Sequence, residues 1–337
     1  MKCLVLLSGG LDSSIALKLM LEQQLDVEAV NFTSVFCRCN GKNGCSYAGN
    51  LSKKLGVKLH FINKGEEYLE IVKAPKHGYG SNINPCLDCR IFAFRKAKEL
   101  MKKIGAFFIV TGEVLNQRPM SQHLQAMKLI EKESDLVGLV LRPLSAVHLL
   151  PTIPEEKKWV DRNKLLNLQG RSRKDQIRLA REKEITEYSC PSGGCLLTDP
   201  NFAKRIKDLI QHKPDWTIKD ANLLKYGRHY RLSKDIKLIV GRNKQENDII
   251  ASFKEKGDLI IGLEDFKGPL SLLKYIFEGK KMTLTPFLRI AASITARYGD
   301  ISNKEEFIRV WYEDGENTKH LIEVMPAKEE ELNKTRI

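Results

Sequence analysis

Residues 8–14, SGGLDSS, combine two glycines, an acid and three serine hydroxyls directly after the apolar residues 3–7. Glycine lets a backbone approach an anion closely, and a helix that starts there adds N–H donors. Asp12 suits such a site if Mg²⁺ bridges its carboxylate to the phosphates. We therefore predict a phosphate site; the alternative is a glycine-rich turn that only begins a helix. No lysine follows the glycines, so the stretch is not the GxxxxGK[ST] loop.

The eight cysteines offer a second kind of chemistry. Cys86 and Cys89 form a C-x-x-C pair, which we place immediately before a helix. A helix N-terminus lowers a thiol pKa, and such a pair suits a metal centre or a dithiol couple. Cys190 and Cys195 lie in CPSGGC, where glycines permit a tight loop around a cofactor. Three more cysteines, for which we expect local structure or a second metal and no catalytic role, are Cys37, Cys39 and Cys45.

Basic residues are concentrated in residues 157–183, which contain ten Lys or Arg against three acids. The whole chain carries a formal charge of +14. Lys and Arg neutralise phosphates and supply most of the nonspecific affinity for nucleic acids. We predict RNA contacts in this run, with a plain solvated helix as the alternative. The predicted contacts are Arg171, Arg173, Lys174 and Arg178.

The elements that position these residues alternate between strand and helix patterns in the first half of the chain. Strands are predicted over 2–7, 27–32, 57–62 and 106–111, and helices over 11–23, 49–55 and 89–104. This alternation predicts an α/β fold with a parallel sheet and right-handed crossovers. Ligands of such sheets bind at the carboxyl ends of the strands, where Ser8, Phe32 and Thr111 lie.

The strand and helix patterns in the second half of the sequence predict a smaller α+β domain. A helix is expected over 201–211, before this domain. From residue 219 onward, the domain is expected to contain strands over 237–240, 259–261 and 307–312 and a helix over 287–298. Composition is that of a globular protein, with 42% hydrophobic and 29% charged residues. No apolar run approaches the roughly 20 residues that span a bilayer, and residues 3–7 are too short for a signal-peptide core. We expect a cytoplasmic protein without a membrane partner.

The pattern SGGxDS[ST] after the first strand resembles the PP-loop ATP pyrophosphatase family, whose members adenylate a carbonyl oxygen and release pyrophosphate. The resemblance implies an adenine nucleotide alpha hydrolase-like fold, with ATP and Mg²⁺ as cofactors. It implies that the pyrophosphate part of ATP is held by Ser8, Gly9, Gly10, Asp12, Ser13 and Ser14. By position, the residues expected around adenine and ribose are Asn31, Phe32, Thr111 and Gly112.

Residues 84–113 (NPCLDCRIFAFRKAKELMKKIGAFFIVTGE) and 193–206 (GGCLLTDPNFAKRI) are similar to the two catalytic-cysteine segments of tRNA 2-thiouridylases. The resemblance implies Cys89 and Cys195 as functional cysteines, with Asp12 as the third catalytic residue. Cys86 falls where many of those enzymes have an acid. A C-x-x-C with one distant cysteine is instead similar to cluster-dependent thiolases, which include 4-thiouridine synthetases.

That resemblance implies a [4Fe–4S] cluster held by Cys86, Cys89 and Cys195, with Cys190 as a substitute for Cys195. Three thiolates would leave one iron open to hydrosulfide as the sulfur donor. Two alternatives stay open. One is a zinc site built from all four of these cysteines, and the other is a persulfide–disulfide mechanism without metal.

Residues 237–269 and 289–300 resemble the RNA-binding module of NFACT proteins, although the histidine usual after the second strand is missing. The shared features are a glycine-x-asparagine stretch, a strand after an Asp and an alanine-rich helix. The resemblance implies RNA contacts at Arg242, Asn243 and Lys244.

We therefore divide the chain into four parts. Residues 1–150 form the PP-loop ATP-binding catalytic domain, and residues 151–218 a basic helical and cysteine-loop region that completes the active site. Residues 219–326 form the NFACT-type RNA-binding-like domain, and residues 327–337 a loose charged tail.

The leading hypothesis is an ATP-dependent tRNA sulfurtransferase that thiolates a uridine, with position 8 slightly preferred. Its partners would be tRNA, ATP and a sulfur donor, either free sulfide or a sulfur carrier. One alternative is a small-molecule PP-loop ligase with a structural zinc, similar to 7-cyano-7-deazaguanine synthases. Another is a nonenzymatic RNA-binding protein. The sequence leaves the oligomeric state open.

Overall fold

The computed structural model describes residues 1–38, 40–41, 44–188, 194–275, 285–314 and 318–337. They form two compact units, Met1–Thr198 and Asp199–Ile337. The first unit therefore extends past the predicted boundary at residue 150, and the second begins about 20 residues before the predicted start at 219. The cysteine loop around Cys195 belongs to the first unit.

The first unit is built on one parallel sheet. Its strands are β1 (Lys2–Leu6), β2 (Asp26–Thr33), β5 (Lys58–Asn63), β6 (Phe108–Thr111) and β7 (Val140–Leu141), and a small ribbon is formed by β3 (Asn40–Gly41) and β4 (Gly44–Cys45). The helices are α1 (Leu11–Glu22), α2 (Ser46–Lys54), α3 (Glu67–Lys73), α4 (Cys86–Lys103), α5 (Leu124–Glu133), α6 (Ile153–Glu156) and α7 (Lys174–Glu182). The spatial order β5-β2-β1-β6-β7, with every pair parallel, confirms the predicted fold class for this unit.

The strand order creates a crevice beside β1. The chain runs from β1 outward through β2 to β5, then returns across the sheet to β6 and β7. Loops that leave β1 and β6 therefore turn to opposite faces, and open α/β sheets bind ligands at such a reversal. Ser8 follows β1 and Gly112 follows β6, so the predicted phosphate loop lies at this crevice.

Helices cover both faces of the sheet, which explains the unbroken apolar sequence of β1. On one face, Cys3, Val5 and Leu7 pack with residues of α1, α2 and α7. On the other face, Leu4 packs with residues of α4 and α5. Both faces of β1 are thus buried, and its carboxyl end is held rigidly at the crevice.

Helix α4 begins at Cys86, three residues earlier than predicted. Pro85 is its N-cap, and proline close to a helix start costs little because the first N–H groups have no intrahelical partner. Cys86 and Cys89 are thus inside the first turn, three residues apart, and do not precede the helix. The expected position of the C-x-x-C is corrected accordingly.

The second unit is an antiparallel sheet with helices on both faces. Its strands are β8 (Arg228–Ser233), β9 (Ile236–Val240), β10 (Leu259–Leu263), β11 (Ser271–Tyr275), β12 (Ile308–Glu313) and β13 (Lys319–Val324), in the spatial order β13-β12-β10-β11-β9-β8. Its helices are α8 (Pro200–His212), α9 (Ile218–Leu223), α10 (Lys244–Ala251), α11 (Thr285–Arg297) and α12 (Glu329–Thr335). Residues of α11 and α12 pack on one face, and residues of α9 and α10 on the other, as an α+β architecture requires.

The C-terminal residues are ordered and packed, which corrects the prediction of a loose tail over 327–337. They form α12, and its Leu332 is completely buried in the core of the second unit. The Ile337 N–H donates to the His229 carbonyl at 3.0 Å, and the Arg336 guanidinium donates to the Tyr298 hydroxyl at 2.9 Å. Within the described ranges, none of the helices combines the length and apolar character needed to cross a bilayer.

Candidate active site

The phosphate loop is organised by its own serines. The Ser8 N–H donates to Ser13 Oγ at 3.2 Å, and the Ser13 hydroxyl donates to the Gly10 carbonyl at 2.8 Å. Ser14 Oγ also donates to Gly10, at 3.1 Å, so both hydroxyls hold the turn in addition to any ligand they contact. Gly10 is the N-cap of α1, and the first N–H groups of that helix point toward the crevice as a ready anion site.

At positions 9 and 112 only glycine fits, because neighbouring atoms lie where a Cβ would be. Gly9 has φ +79°, and a Cβ there would lie 2.6 Å from Cys45 Sγ. At Gly112, directly after β6, a Cβ would lie 2.4 Å from the Ser13 nitrogen. Gly112 therefore shapes the loop through its backbone contact with the start of α1.

Asp12 faces the crevice as a largely buried carboxylate. Arg173 Nη2 lies 3.6 Å from its Oδ2, while its buried Oδ1 has no hydrogen-bond partner among the described residues. Burial raises the pKa of Asp12, although the Arg173 charge favours the carboxylate. A buried carboxylate oxygen without a partner is a fitting ligand for Mg²⁺.

The segment after β6 brings further polar groups to this carboxylate. Gln117 and Arg118 both favour the charged form of Asp12 and so lower its pKa. Neither polar atom of the buried Gln117 side chain has a hydrogen-bond partner of good geometry within the described ranges. Desolvation and the nearby Arg90 lower the pKa of Arg118, although its side chain still reaches solvent. Arg118 also lies within electrostatic reach of Cys86, so it connects the phosphate loop with the first turn of α4.

Arg90 is fixed by a buried acid. Glu113 accepts from Arg142 Nε at 2.9 Å, and Arg90 Nε lies 3.5 Å from its other oxygen. Burial alone would raise the pKa of Glu113, but Arg90 and Arg142 hold it below its usual value. The ionised acid keeps Arg90 at the crevice, beside Arg118.

The residues expected around adenine and ribose are engaged within the protein. Asn31 is buried; its Nδ2 donates to the Leu7 carbonyl at 2.7 Å and its Oδ1 accepts from the Cys45 N–H at 3.4 Å. The Thr111 hydroxyl bonds to Glu113, and Phe32 packs on the sheet core. Asn31 and Thr111 thus make hydrogen bonds within the protein, and their contacts with adenine and ribose stay predictions.

Cys89 is the best-activated thiol of the site. Lys64, the first residue after β5, donates from Nζ to its sulfur at 2.8 Å, and the Tyr68 hydroxyl adds a second hydrogen bond. Desolvation would raise the pKa of Cys89, but Lys64, Tyr68 and Arg90 lower it below its ordinary value. The thiolate is the nucleophilic form of cysteine, so these contacts prepare Cys89 for sulfur chemistry.

Cys195 is brought to Cys89 by pairing between distant segments. The Leu196 N–H donates to the Phe36 carbonyl at 2.8 Å, and the Arg38 N–H donates to the Gly194 carbonyl at 3.4 Å. Cys37 and Cys195 thereby form an isolated antiparallel bridge. Desolvation and the Cys89 charge raise the pKa of Cys195 to about 12. Cys37, for which we predict no catalytic role, thus faces Cys195 across this bridge.

Cys86 has different surroundings. Its sulfur accepts from Asn84 Nδ2 at 3.4 Å and interacts with Arg118. Among the described residues, no three His, Cys, Asp or Glu side chains are grouped closely enough to hold a single metal ion. Cys39 and Cys190 lie outside the described residues, so the role of Cys190 as substitute ligand stays a prediction.

The predicted RNA contacts differ in their surroundings. Arg173 lies 3.6 Å from Asp12 at the phosphate loop, and its RNA contact stays a prediction. Arg178 pairs with Asp175 at 3.0 Å on α7, while Arg171 and Lys174 are exposed. In the second unit, Arg242 is paired with Glu246 at 2.7 Å, and Asn243 caps α10. Lys244 is exposed in the first turn of that helix.

Sequence reasoning missed several residues of the site. One signal would have found some of them, because Lys64 and Arg118 both follow the carboxyl ends of strands at the ligand-binding edge. No local pattern reveals Tyr68 or Cys37, because their place depends on contacts between segments far apart in the chain.

Each of the two units contains a segment that matches a known protein family. Residues 1–149 match the family described as "Thiamine biosynthesis protein (ThiI)", and residues 227–336 match the "NFACT protein RNA binding domain". The second match includes the C-terminal helix that we had separated as a tail.

Curated relatives include tRNA-modifying enzymes. The tRNA-specific 2-thiouridylase MnmA of Pseudomonas fluorescens (strain Pf0-1) is 25% identical over 244 residues, 68% of this chain and 61% of that protein. A probable tRNA sulfurtransferase of Lysinibacillus sphaericus is 32% identical over 146 residues, 42% of this chain and 34% of that protein. The chain thus spans 61% of the length of the first relative.

A solved 4-thiouridine synthetase in complex with RNA and bound ATP is 19% identical, with a TM-score of 0.38 over 66% of this chain and 53% of that one. The family matches, which cover separate parts of the chain, agree with the two resemblances found from the motifs. Residues 1–149 are thus similar to the ThiI family, and residues 227–336 to the NFACT RNA-binding domain.

Proposed function

We propose that the chain thiolates a uridine of tRNA, using ATP to activate the base carbonyl oxygen. The observation that carries this proposal is the ion pair of Arg90 with Glu113 at 3.5 Å, because Arg90 follows Cys89 in α4 and Glu113 follows Gly112, which packs against the start of α1 beside the phosphate loop. Nucleotide activation and sulfur chemistry therefore border on one another in a single unit. The thiouridylase and sulfurtransferase relatives and the C-terminal RNA-binding domain support tRNA as the substrate.

In the first step, the uridine oxygen attacks the α-phosphorus of ATP and pyrophosphate leaves. The N–H groups at the start of α1 bind the departing phosphates, and Arg90, Arg118 and Arg173 balance their charge. Asp12 would hold Mg²⁺, which when bound supplies Lewis-acid stabilisation of the phosphate oxygens. Adenylation turns a poor leaving oxygen into AMP.

In the second step, sulfur attacks the activated carbon and expels AMP. Cys89 and Cys195 are the proposed sulfur-handling residues, because the two thiols lie within electrostatic reach of each other and Cys89 directly precedes Arg90, which pairs with Glu113. Lys64 keeps Cys89 as a thiolate, the form that can take up or displace sulfur. Cys195 would carry the transferred sulfur as a persulfide.

The cluster predicted on Cys86, Cys89 and Cys195 stays a separate prediction. Among the described residues, no three candidate ligands are grouped around one metal position. The Cys86 sulfur accepts from Asn84 and the Cys89 sulfur from Lys64. No step above passes through a cluster. Anaerobic reconstitution with iron and sulfide tests the cluster prediction. The prediction requires a bound cluster with the broad thiolate-to-iron absorption band, and stoichiometric zinc without that band would exclude it.

The proposed function is tested by pyrophosphate release from ATP with and without tRNA, followed by mass analysis of the tRNA nucleosides. We expect release that depends on tRNA, together with a nucleoside in which sulfur replaces oxygen. Release without tRNA and without a thionucleoside would favour the small-molecule ligase. Binding of tRNA without any release would favour the nonenzymatic RNA-binding protein.

A further inference from the structure

Cys37 faces Cys195 in a backbone arrangement that suits a disulfide. The hydrogen bonds join Phe36 to Leu196 and Gly194 to Arg38, so they flank the two cysteines and do not join them. This pattern defines a non-hydrogen-bonded antiparallel pair, in which the Cα atoms are about 4.5 Å apart and the side chains lie on the same face. Disulfides need a Cα separation of roughly 4.4–6.8 Å, a range that includes the separation typical of such pairs.

Both thiols are free in the structure, and each lies within electrostatic reach of the other. The Cys195 segment is held on its other side as well, because the Ile83 N–H donates to the Leu197 carbonyl at 3.3 Å and Asn82 Nδ2 donates to the Thr198 carbonyl at 2.8 Å. The pairing is therefore fixed by backbone contacts on two sides. It does not depend on a chance approach of two flexible side chains.

Cys89 is less well placed to form that bond. Its sulfur accepts hydrogen bonds from Lys64 at 2.8 Å and from Tyr68, which hold it in position, and its backbone belongs to a helix. Among the described residues, the hydrogen-bonding partner of the Cys37 sulfur is the Ser34 hydroxyl, at 3.5 Å. Compared with Cys89, Cys37 has a backbone position that suits a disulfide with Cys195, and the hydrogen bond to its sulfur is longer.

We propose that Cys37 is the resolving thiol of the sulfur-transfer step, an inference that rests on the proposed function. The Cys195 thiolate attacks the outer sulfur of a persulfide or polysulfide donor, which breaks the donor S–S bond, releases the rest of the donor as a thiolate or shorter polysulfide, and leaves a persulfide on Cys195. The Cys37 thiolate attacks the Cys195 sulfur that is bound to carbon, forming the Cys37–Cys195 disulfide and breaking the persulfide S–S bond. The terminal sulfur leaves as hydrosulfide with the electron pair of that bond and is consumed by the adenylated uridine. A dithiol reductant then restores both thiols.

The test uses the full chain, reduced and then charged with inorganic polysulfide, without ATP or tRNA. After removal of excess polysulfide, hydrosulfide release is followed over time, and alkylated samples are mapped by mass spectrometry without reduction. Trypsin cleaves after Arg38, which separates Cys37 from Cys39. Fragmentation of the second peptide distinguishes Cys195 from Cys190, which share it.

We expect one hydrosulfide released for each Cys37–Cys195 disulfide formed. Cys37→Ser should lose both signals and keep the extra sulfur on Cys195. Cys3→Ala, which removes a thiol buried in β1, should behave like the unchanged chain. A disulfide between Cys89 and Cys195, or hydrosulfide release that survives in Cys37→Ser, would overturn the proposal. So would a persulfide on Cys195 that persists in the unchanged chain.

Addition of ATP and tRNA to the charged chain separates this inference from the proposed function. A disulfide with released hydrosulfide but no thionucleoside would leave the role of Cys37 intact and count against uridine thiolation. A thionucleoside formed without the Cys37–Cys195 disulfide would support thiolation and exclude Cys37 as the resolving thiol.

Discussion

At the scale of single residues, the site depends on charges that are held in place before any ligand binds. Asp12, Arg118 and Arg173 face the same crevice, and Glu113 holds Arg90 beside them. Such preorganised groups stabilise a transition state without having to reorient during the reaction. Removal of one of them should therefore affect the chemical step more than the stability of the fold.

Replacing Asp12 with asparagine tests the metal-binding carboxylate. Asp12→Asn keeps the size of the side chain but removes the charge, so we expect tRNA-dependent pyrophosphate release to fall by about 10²–10³-fold. The rate should be measured over a range of Mg²⁺ concentrations. Asp26→Asn, at an exposed carboxylate paired with Lys2, is the control and should stay near the unchanged rate. An Asp12→Asn enzyme with full activity would exclude Asp12 as the metal ligand.

Replacing Lys64 with glutamine tests the activation of Cys89. Lys64 lowers the pKa of Cys89, and its removal destabilises the thiolate, so the pKa rises. Alkylation of Cys89 at neutral pH should then slow, and its pH profile should move to higher pH, as read by mass spectrometry of the peptide. Lys58→Gln, at the start of the strand that leads to Lys64 and paired with Glu28, should leave the profile unchanged. An unchanged profile in Lys64→Gln would refute this source of activation.

At the scale of elements, the loop after β6 supports the phosphate loop by contact. Gly112→Ala would place a Cβ 2.4 Å from the Ser13 nitrogen, so the start of α1 must shift. We expect a loss of about 1–3 kcal/mol in the free energy of unfolding and weaker ATP binding, measured by denaturant titration and calorimetry. Gly49→Ala in α2 meets no atom within 4 Å and should be neutral or slightly stabilising. Equal effects of the two substitutions would contradict the close contact.

The C-terminal helix is the second element open to test. Leu332→Ala removes a completely buried side chain, so we expect the free energy of unfolding of the second unit to fall by about 2–5 kcal/mol. Leu321→Ala on β13 is the control, because that side chain is 56% exposed and should contribute little. Denaturant unfolding followed by fluorescence measures both. If the Leu332→Ala chain is as stable as its control, the prediction of a loose tail over residues 327–337 is supported instead.

The observed helices and strands show which elements can be predicted from the sequence and which cannot. The apolar run of β1 and the helical spacing of α1 identify both, because buried parallel strands and amphipathic helices have distinct patterns. The start of α4 was placed too late, since its first turn contains the C-x-x-C in place of an apolar stripe. The tail was misjudged because Leu332 is one of few apolar residues among charged ones. The Arg173 contact with Asp12 joins distant segments, which no local pattern encodes.

At the scale of the whole molecule, the net charge of +14 favours a polyanionic partner. Arg171→Gln with Lys174→Gln removes two exposed charges of the first unit. We expect weaker tRNA binding and a decrease of about 1–2 in the slope of log affinity against log salt. Filter binding across a salt series measures this, and Lys103→Gln, an exposed lysine at the end of α4, serves as the control. An unchanged slope would place the RNA surface elsewhere.

The central claim is that adenylation and sulfur transfer are consecutive steps of one reaction on tRNA. It is tested most directly by counting pyrophosphate and thionucleoside in the same sample, for the unchanged chain and for Cys195→Ser. We predict one thionucleoside for each tRNA-dependent pyrophosphate in the unchanged chain, and in Cys195→Ser pyrophosphate without any thionucleoside. A Cys195→Ser chain that still inserts sulfur, or an unchanged chain that releases pyrophosphate without modifying tRNA, would contradict it.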